Sequence, residues 1–124
     1  MTASKHPDPQ RQLDDWPASW ACQAEDLEFG RELVALLRPF VDHLVDAGLA
    51  PKTIARHLGY LWVIGGQIID DLQLTPEDRN LGARGLLDQA ITGGEAPLLH
   101  PLDEDEQARA DATAKKLHRY LGQP

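Results

Sequence analysis

Between Ala24 and Leu72 the large apolar side chains fall on steps of three and four residues, and this spacing limits what the chain can fold into. In the first block, Ala24 to Ala47, the stripe is Leu27, Leu33, Leu37, Phe40 and Leu44, joined by Val34, Val41 and Val45. In the second it is Ile54, Leu58, Leu61, Ile68 and Leu72, with Gly65 on the same face. A half-buried strand needs strict alternation, whereas a repeat near 3.6 puts the apolar groups on one side of a helix. No alternating block of β-branched residues exists in the chain, so the expected fold is all-α.

Punctuation divides these stripes. Pro39 removes a backbone donor and its ring crowds the carbonyl four residues earlier, so the first block is expected to kink there or to split into two helices. Gly48 suits a helix C-terminus, which favours a residue that tolerates positive φ, and Pro51 suits the first turn of the next helix, expected to end near Asp71. Three glycines inside that helix, Gly59, Gly65 and Gly66, together cost about 3 kcal/mol relative to alanine, which packing must offset. Ala55, Gly59 and Gly66 share a face, and a second helix is expected to approach it closely.

Further on, Thr75, Pro76, Glu77 and Asp78 have the chemistry of a helix start, with a hydroxyl cap, proline at the first position and acids at the positive end of the dipole. Leu81, Leu86, Leu87 and Ile91 predict another short helix before the loop TGGEAP at 92–97. Asp103 and Glu106 read as a capping-box start to a last helix, in which Ala110, Ala114, Leu117 and Leu121 form the stripe and Lys115, Lys116 and Arg119 lie near the negative end. Residues 1–15 contain Pro7 and Pro9 and neither period, so a mobile tail is expected there, followed by one helical domain over 16–124. The expected architecture is a compact bundle of four or five helices with 51–71 at its centre.

A length of 124 residues suits a single core. No apolar run approaches the roughly 20 residues that cross a bilayer, and charges and prolines interrupt the N-terminus where a secretory signal is apolar. A cytoplasmic protein away from membranes is therefore expected. The single cysteine, Cys22, permits no internal disulfide. The net charge of −8 opposes general affinity for nucleic acid. That charge is uneven, because residues 49–69 hold Lys52, Arg56 and His57 and no acid.

The residues offer little for chemistry. None of His6, His43, His57, His100 and His118 lies three or four positions from another, and His43 has only Asp42 and Asp46 beside it, so no local zinc motif is present. Neither glycine pair belongs to a phosphate-binding loop. The acid pairs Asp14/Asp15, Asp70/Asp71 and Asp103/Glu104 are adjacent on a helix and point about 100° apart, too far to flank one substrate. No catalytic residue, metal or cofactor is expected. Lys52, Arg56, His57 and Trp62 are the candidates for contact with a partner or with DNA, Trp being a common interface anchor.

Within 40–66, Phe40, Leu44, Gly48, Leu49, Thr53, Ile54, Leu58 and Leu61 resemble the pattern of the helical, SAM-like core-binding domain of tyrosine recombinases and phage integrases. The resemblance covers about a quarter of the chain and implies a helical fold. In that family this domain clamps DNA opposite a catalytic domain with an Arg–His–Arg–Tyr set, for which this chain has no room; Tyr120 stands without such arginines, and Ala50 replaces the usual capping serine. The segment 47–59 also looks like the opening of a helix-turn-helix motif, but Tyr60, Leu61, Trp62, Val63 and Ile64 continue apolar where a polar recognition helix belongs. The function expected is that of a non-enzymatic helical module binding a protein partner or a second copy of itself. The alternatives are DNA binding through Lys52, Arg56 and His57, and an enzyme whose site is dispersed along the sequence.

Overall fold

The computed structural model describes residues 8–97 and 103–122, and these form six α-helices and two 3₁₀ turns, with no strand among the described residues. The helices are α1 (Pro9–Asp14), α2 (Trp16–Trp20), α3 (Ala24–Asp46), α4 (Pro51–Leu74), α5 (Gly82–Ala90) and α6 (Glu104–Leu121). The 3₁₀ turns are Pro76–Leu81, between α4 and α5, and Thr92–Gly94, after α5. The all-α expectation holds.

α3 runs unbroken through Pro39, which stands on its exposed side. Its inner face buries Leu33, Leu37, Phe40, Val41 and Leu44. Gly48 turns the chain with φ at 78°, and Pro51 opens α4. On α4 the stripe Ile54, Leu58, Leu61, Ile68 and Leu72 is buried, extended by Ile64 and Ile69. Each such side chain contributes roughly 1.5–3 kcal/mol on leaving water, which outweighs the interior glycines. These residues join Leu87, Ile91, Ala110, Ala114 and Leu117 of the later elements in one hydrophobic cluster.

α4 reaches Leu74, one turn past the expected end. Thr75 closes it, because both its backbone N–H and its hydroxyl donate to the Asp71 carbonyl, each at 3.0 Å. The hydroxyl is thus spent on the helix behind it, and the short helix expected there is a 3₁₀ turn that starts at Pro76 without a side-chain cap. Asp103 does cap α6, its carboxylate accepting the Glu106 N–H at 2.8 Å.

The tail expected over residues 1–15 is corrected across its second half. Residues 9–14 form α1, started by the Asp8 carboxylate accepting the Gln10 N–H at 2.9 Å. Tertiary contacts hold it: Leu13 is fully buried, Arg38 donates to Asp14 at 2.6 Å, and Gln10 donates to the Arg38 carbonyl and the Asp42 carboxylate. Residues 1–7 lie outside the described residues.

The short α2 wedges between the two long helices. A Cβ on Gly30 of α3 would sit 3.0 Å from Pro17 Cα, and one on Gly65 of α4 would sit 2.7 Å from Trp20 Cη2. Both glycines therefore exist to let α2 approach. The close approach expected over Ala55, Gly59 and Gly66 is corrected as well: nothing comes within 4 Å of a Cβ at Gly59, and the group lying against Gly65 and Gly66 is the Trp20 indole. The two tryptophans interlock, Trp20 Nε1 donating to the Trp62 carbonyl and Trp62 Nε1 donating to Ser19 Oγ, both at 2.9 Å.

Candidate binding surface

The four residues singled out in the sequence are not brought together. Lys52 and Arg56 are exposed on the first two turns of α4 and form no ion pair among the described residues. His57 is removed from the surface: it is 7% exposed, with Nδ1 2.7 Å from Thr113 Oγ1 of α6. Its place as a contact residue is corrected, since it lies three residues from Ile54 and four from Leu61, on the buried stripe. Burial lowers its pKa from the ordinary histidine value, and the nearby charges of Lys116 and Arg56 lower it further. The ring at the centre of the basic spot is therefore neutral at physiological pH. Trp62 is 42% exposed, but it points about 80° around α4 from Lys52 and stands beside α2.

The structure adds cations that lie far away in sequence. Lys116 is exposed on α6, the helix whose Thr113 meets the His57 ring. One turn further on, Arg119 and Tyr120 face the end of α3, where Tyr120 packs against Phe40 and His43 with ring centroids 5.6 and 5.0 Å apart. Phe40, Leu44, Ala47 and Leu49, with the His43 and Tyr120 rings, line a notch of about 200 Å³ there, and Lys116 and Arg119 complete its lining. Neither cation has an ion-pair partner among the described residues.

α6 supplies both cations because its stripe, Ala110, Ala114 and Leu117, faces the core and turns positions 116 and 119 outward. The i, i+3 and i, i+4 spacing of Lys116, Arg119 and Tyr120 was visible in the sequence, but it fits equally well a basic last turn facing the negative end of the helix dipole. Only tertiary structure shows that this turn borders an aromatic notch.

A larger cleft of about 550 Å³ lies between α1, α2 and α3, lined among others by Leu13, Pro17, Val34 and Pro39. Its charges are already engaged, Arg38 with Asp14 and Arg31 with Glu28 at 3.4 Å, and it forms the seam where α1 docks. Cys22 is a free, exposed thiol. Among the described residues no group of three His, Cys, Asp or Glu side chains is placed to hold a metal ion, and no helix is long and apolar enough to cross a membrane. His6 and His100 lie outside the described residues.

The fold and this surface define an α-helical bundle with a cation-edged aromatic notch. No protein-family model, curated protein or solved structure matches the chain.

Proposed function

We propose that this protein is a non-enzymatic helical module that works in the cytoplasm by binding a protein partner, another protein or a second copy of itself, through the end of the bundle where α3, α4 and α6 meet. The notch carries this reading. It places aromatic and aliphatic groups beside cations that have no acid partner among the described residues, the mixture of anchor and polar rim found in protein interfaces. The likeness of residues 40–66 to recombinase core-binding domains enters as a likeness of helical pattern, with the protein contact in place of the DNA clamp.

The test is a photo-crosslinking residue placed at Arg119 in the native host, followed by reconstitution of the captured species from purified components. A defined protein that binds the purified chain stoichiometrically supports the reading. Nucleic acid as the sole captured species, or nothing captured there or from Lys52 and Trp62, overturns it.

A second reading, an accessory DNA-binding protein, is favoured by one observation: α6, which meets α4 at His57 and Thr113, carries the exposed cations Lys116 and Arg119 in addition to Lys52 and Arg56 on α4. The net charge of −8 weighs against it, because a duplex extending past the patch meets acidic surface.

A further inference from the structure

The notch at the end of the bundle is small. At about 200 Å³ it falls below the roughly 300–1,000 Å³ of pockets that enclose a whole small molecule, and it accommodates a single large side chain. Phe40 and Leu44 behind it are 0% and 2% exposed, so its accessible apolar surface is that of Ala47, Leu49 and the Tyr120 ring, and a group set against it should be apolar or aromatic. Its edge is cationic, through Lys116 and Arg119. Arg56 is exposed on α4, one residue before the His57 ring that meets α6. A group entering the notch thus brings its own flanks against cations that have no ion-pair partner among the described residues, while the rest of the molecule, at −8 overall, repels long polyanions.

On this basis we infer that the notch takes a short acidic segment of a protein, in which one leucine or aromatic side chain packs on Leu49 and the outer side of the Tyr120 ring while flanking Asp or Glu carboxylates pair with Lys116 and Arg119. The inference rests on the protein-binding reading above and names the partner's chemistry. Paired carboxylates supply orientation and association rate, and the inserted side chain supplies most of the residence time. A duplex of comparable charge lacks the apolar group that the notch calls for, and its phosphates continue past the patch into acidic surface.

A random library of peptides about ten residues long, selected on the full chain, tests this. Retained peptides should carry one Leu, Phe, Tyr or Trp flanked by Asp or Glu. Their binding should weaken roughly tenfold or more in the Lys116→Gln/Arg119→Gln double variant, which should keep its helical circular dichroism because both side chains are exposed. On wild-type protein, the same peptides should shift the amide resonances of His43 and Tyr120, a readout independent of any variant. The inference is overturned by peptides without acidic enrichment, by peptides that bind the double variant equally well, by resonance shifts confined to other faces, or by a selection that yields no binder. It is overturned too if a 20-base-pair duplex or inorganic phosphate, and not a peptide, is what the double variant fails to bind. A cellular partner that docks elsewhere sinks this inference and leaves the protein-binding reading standing; acidic peptides that seat in the notch while no cellular partner exists do the reverse.

Discussion

Asp26 and Arg79 close an ion pair at the foot of the bundle, tying the first turn of α3 to the 3₁₀ turn after α4. The Asp26 carboxylate is fully buried and also accepts the N–H groups of Cys22 and Gln23, at 2.9 and 3.1 Å, and the Gln73 amide. Arg79 reaches Glu25 at 3.5 Å as well, and its Nε is buried with no hydrogen-bond partner among the described residues. Removing the cation alone strands a charge in the interior, whereas removing both charges does not. Arg79→Met should therefore cost about 3 kcal/mol in urea unfolding, and Asp26→Asn/Arg79→Met should be the more stable of the two. Equal stability of the two variants would mean that the Asp26 charge is not stranded when Arg79 is removed.

Acid should weaken the fold in two stages. His57, whose pKa is lowered by burial and by Lys116 and Arg56, is neutral in the folded state while the unfolded chain takes up a proton near pH 6.5. Its contribution is complete above that pH and is lost as pH falls below it, with a slope of at most about 1.4 kcal/mol per pH unit. For Asp26, burial alone would raise the pKa, but the hydrogen bonds from Cys22, Gln73, Gln23 and Arg79 outweigh it, and the net shift is downward. Its stabilisation is present above the unfolded value near 4 and disappears as pH drops through the folded value. Urea titrations from pH 7 to 3 should show both stages in wild type. The first should be missing in His57→Gln, and its persistence there would assign it to another group.

Two glycines on one helix should answer alanine oppositely. At Gly65 the added methyl overlaps the Trp20 ring, so Gly65→Ala should destabilise by roughly 1–3 kcal/mol and disturb the Trp20 fluorescence. At Gly59 the space is open, so Gly59→Ala should stabilise by up to about 1 kcal/mol through helix propensity. Thermal melts of the two variants decide it; matching shifts would remove α2 as the reason for Gly65.

The order of α1 rests on Leu13, which is fully buried although its neighbours in sequence are polar. Leu13→Ala should cost about 2–5 kcal/mol, the range for emptying a core leucine site. A variant as stable as wild type would show that α1 does not dock.

How much of this could be read from the sequence depends on how far the cause lies along the chain. α3, α4 and α6 were legible because each repeats its stripe over several turns, and the cap at Asp103 acts within three residues. α1 and α2 span six and five residues, too few for a period to declare itself, and they are held by groups more than twenty residues away, such as Arg38 for α1 and Gly65 for α2. His57 lay on the buried stripe in plain sight, but its basic neighbours drew it into a surface reading, and its partner Thr113 is 56 residues distant. The notch was illegible for the same reason, since Tyr120 meets Phe40 only once α6 folds back on α3.

Salt and charge reversal separate the two binding readings. Phosphate contacts release counterions, so DNA binding weakens steeply with salt in proportion to the cations engaged. With His57 neutral and buried, Lys52, Arg56, Lys116 and Arg119 release about four counterions at most, a small gain against a chain at −8. No measurable binding to random duplex DNA is expected at physiological salt, and Lys52→Glu/Arg56→Glu should leave the helical signal intact because both side chains are exposed. Leu58→Asp, by contrast, should unfold the domain, since it places an unpaired charge where the side chain is 2% exposed. Tight duplex binding by the wild-type chain, steeply salt-dependent and lost in the double glutamate variant while its circular dichroism stays unchanged, would replace the protein partner with DNA.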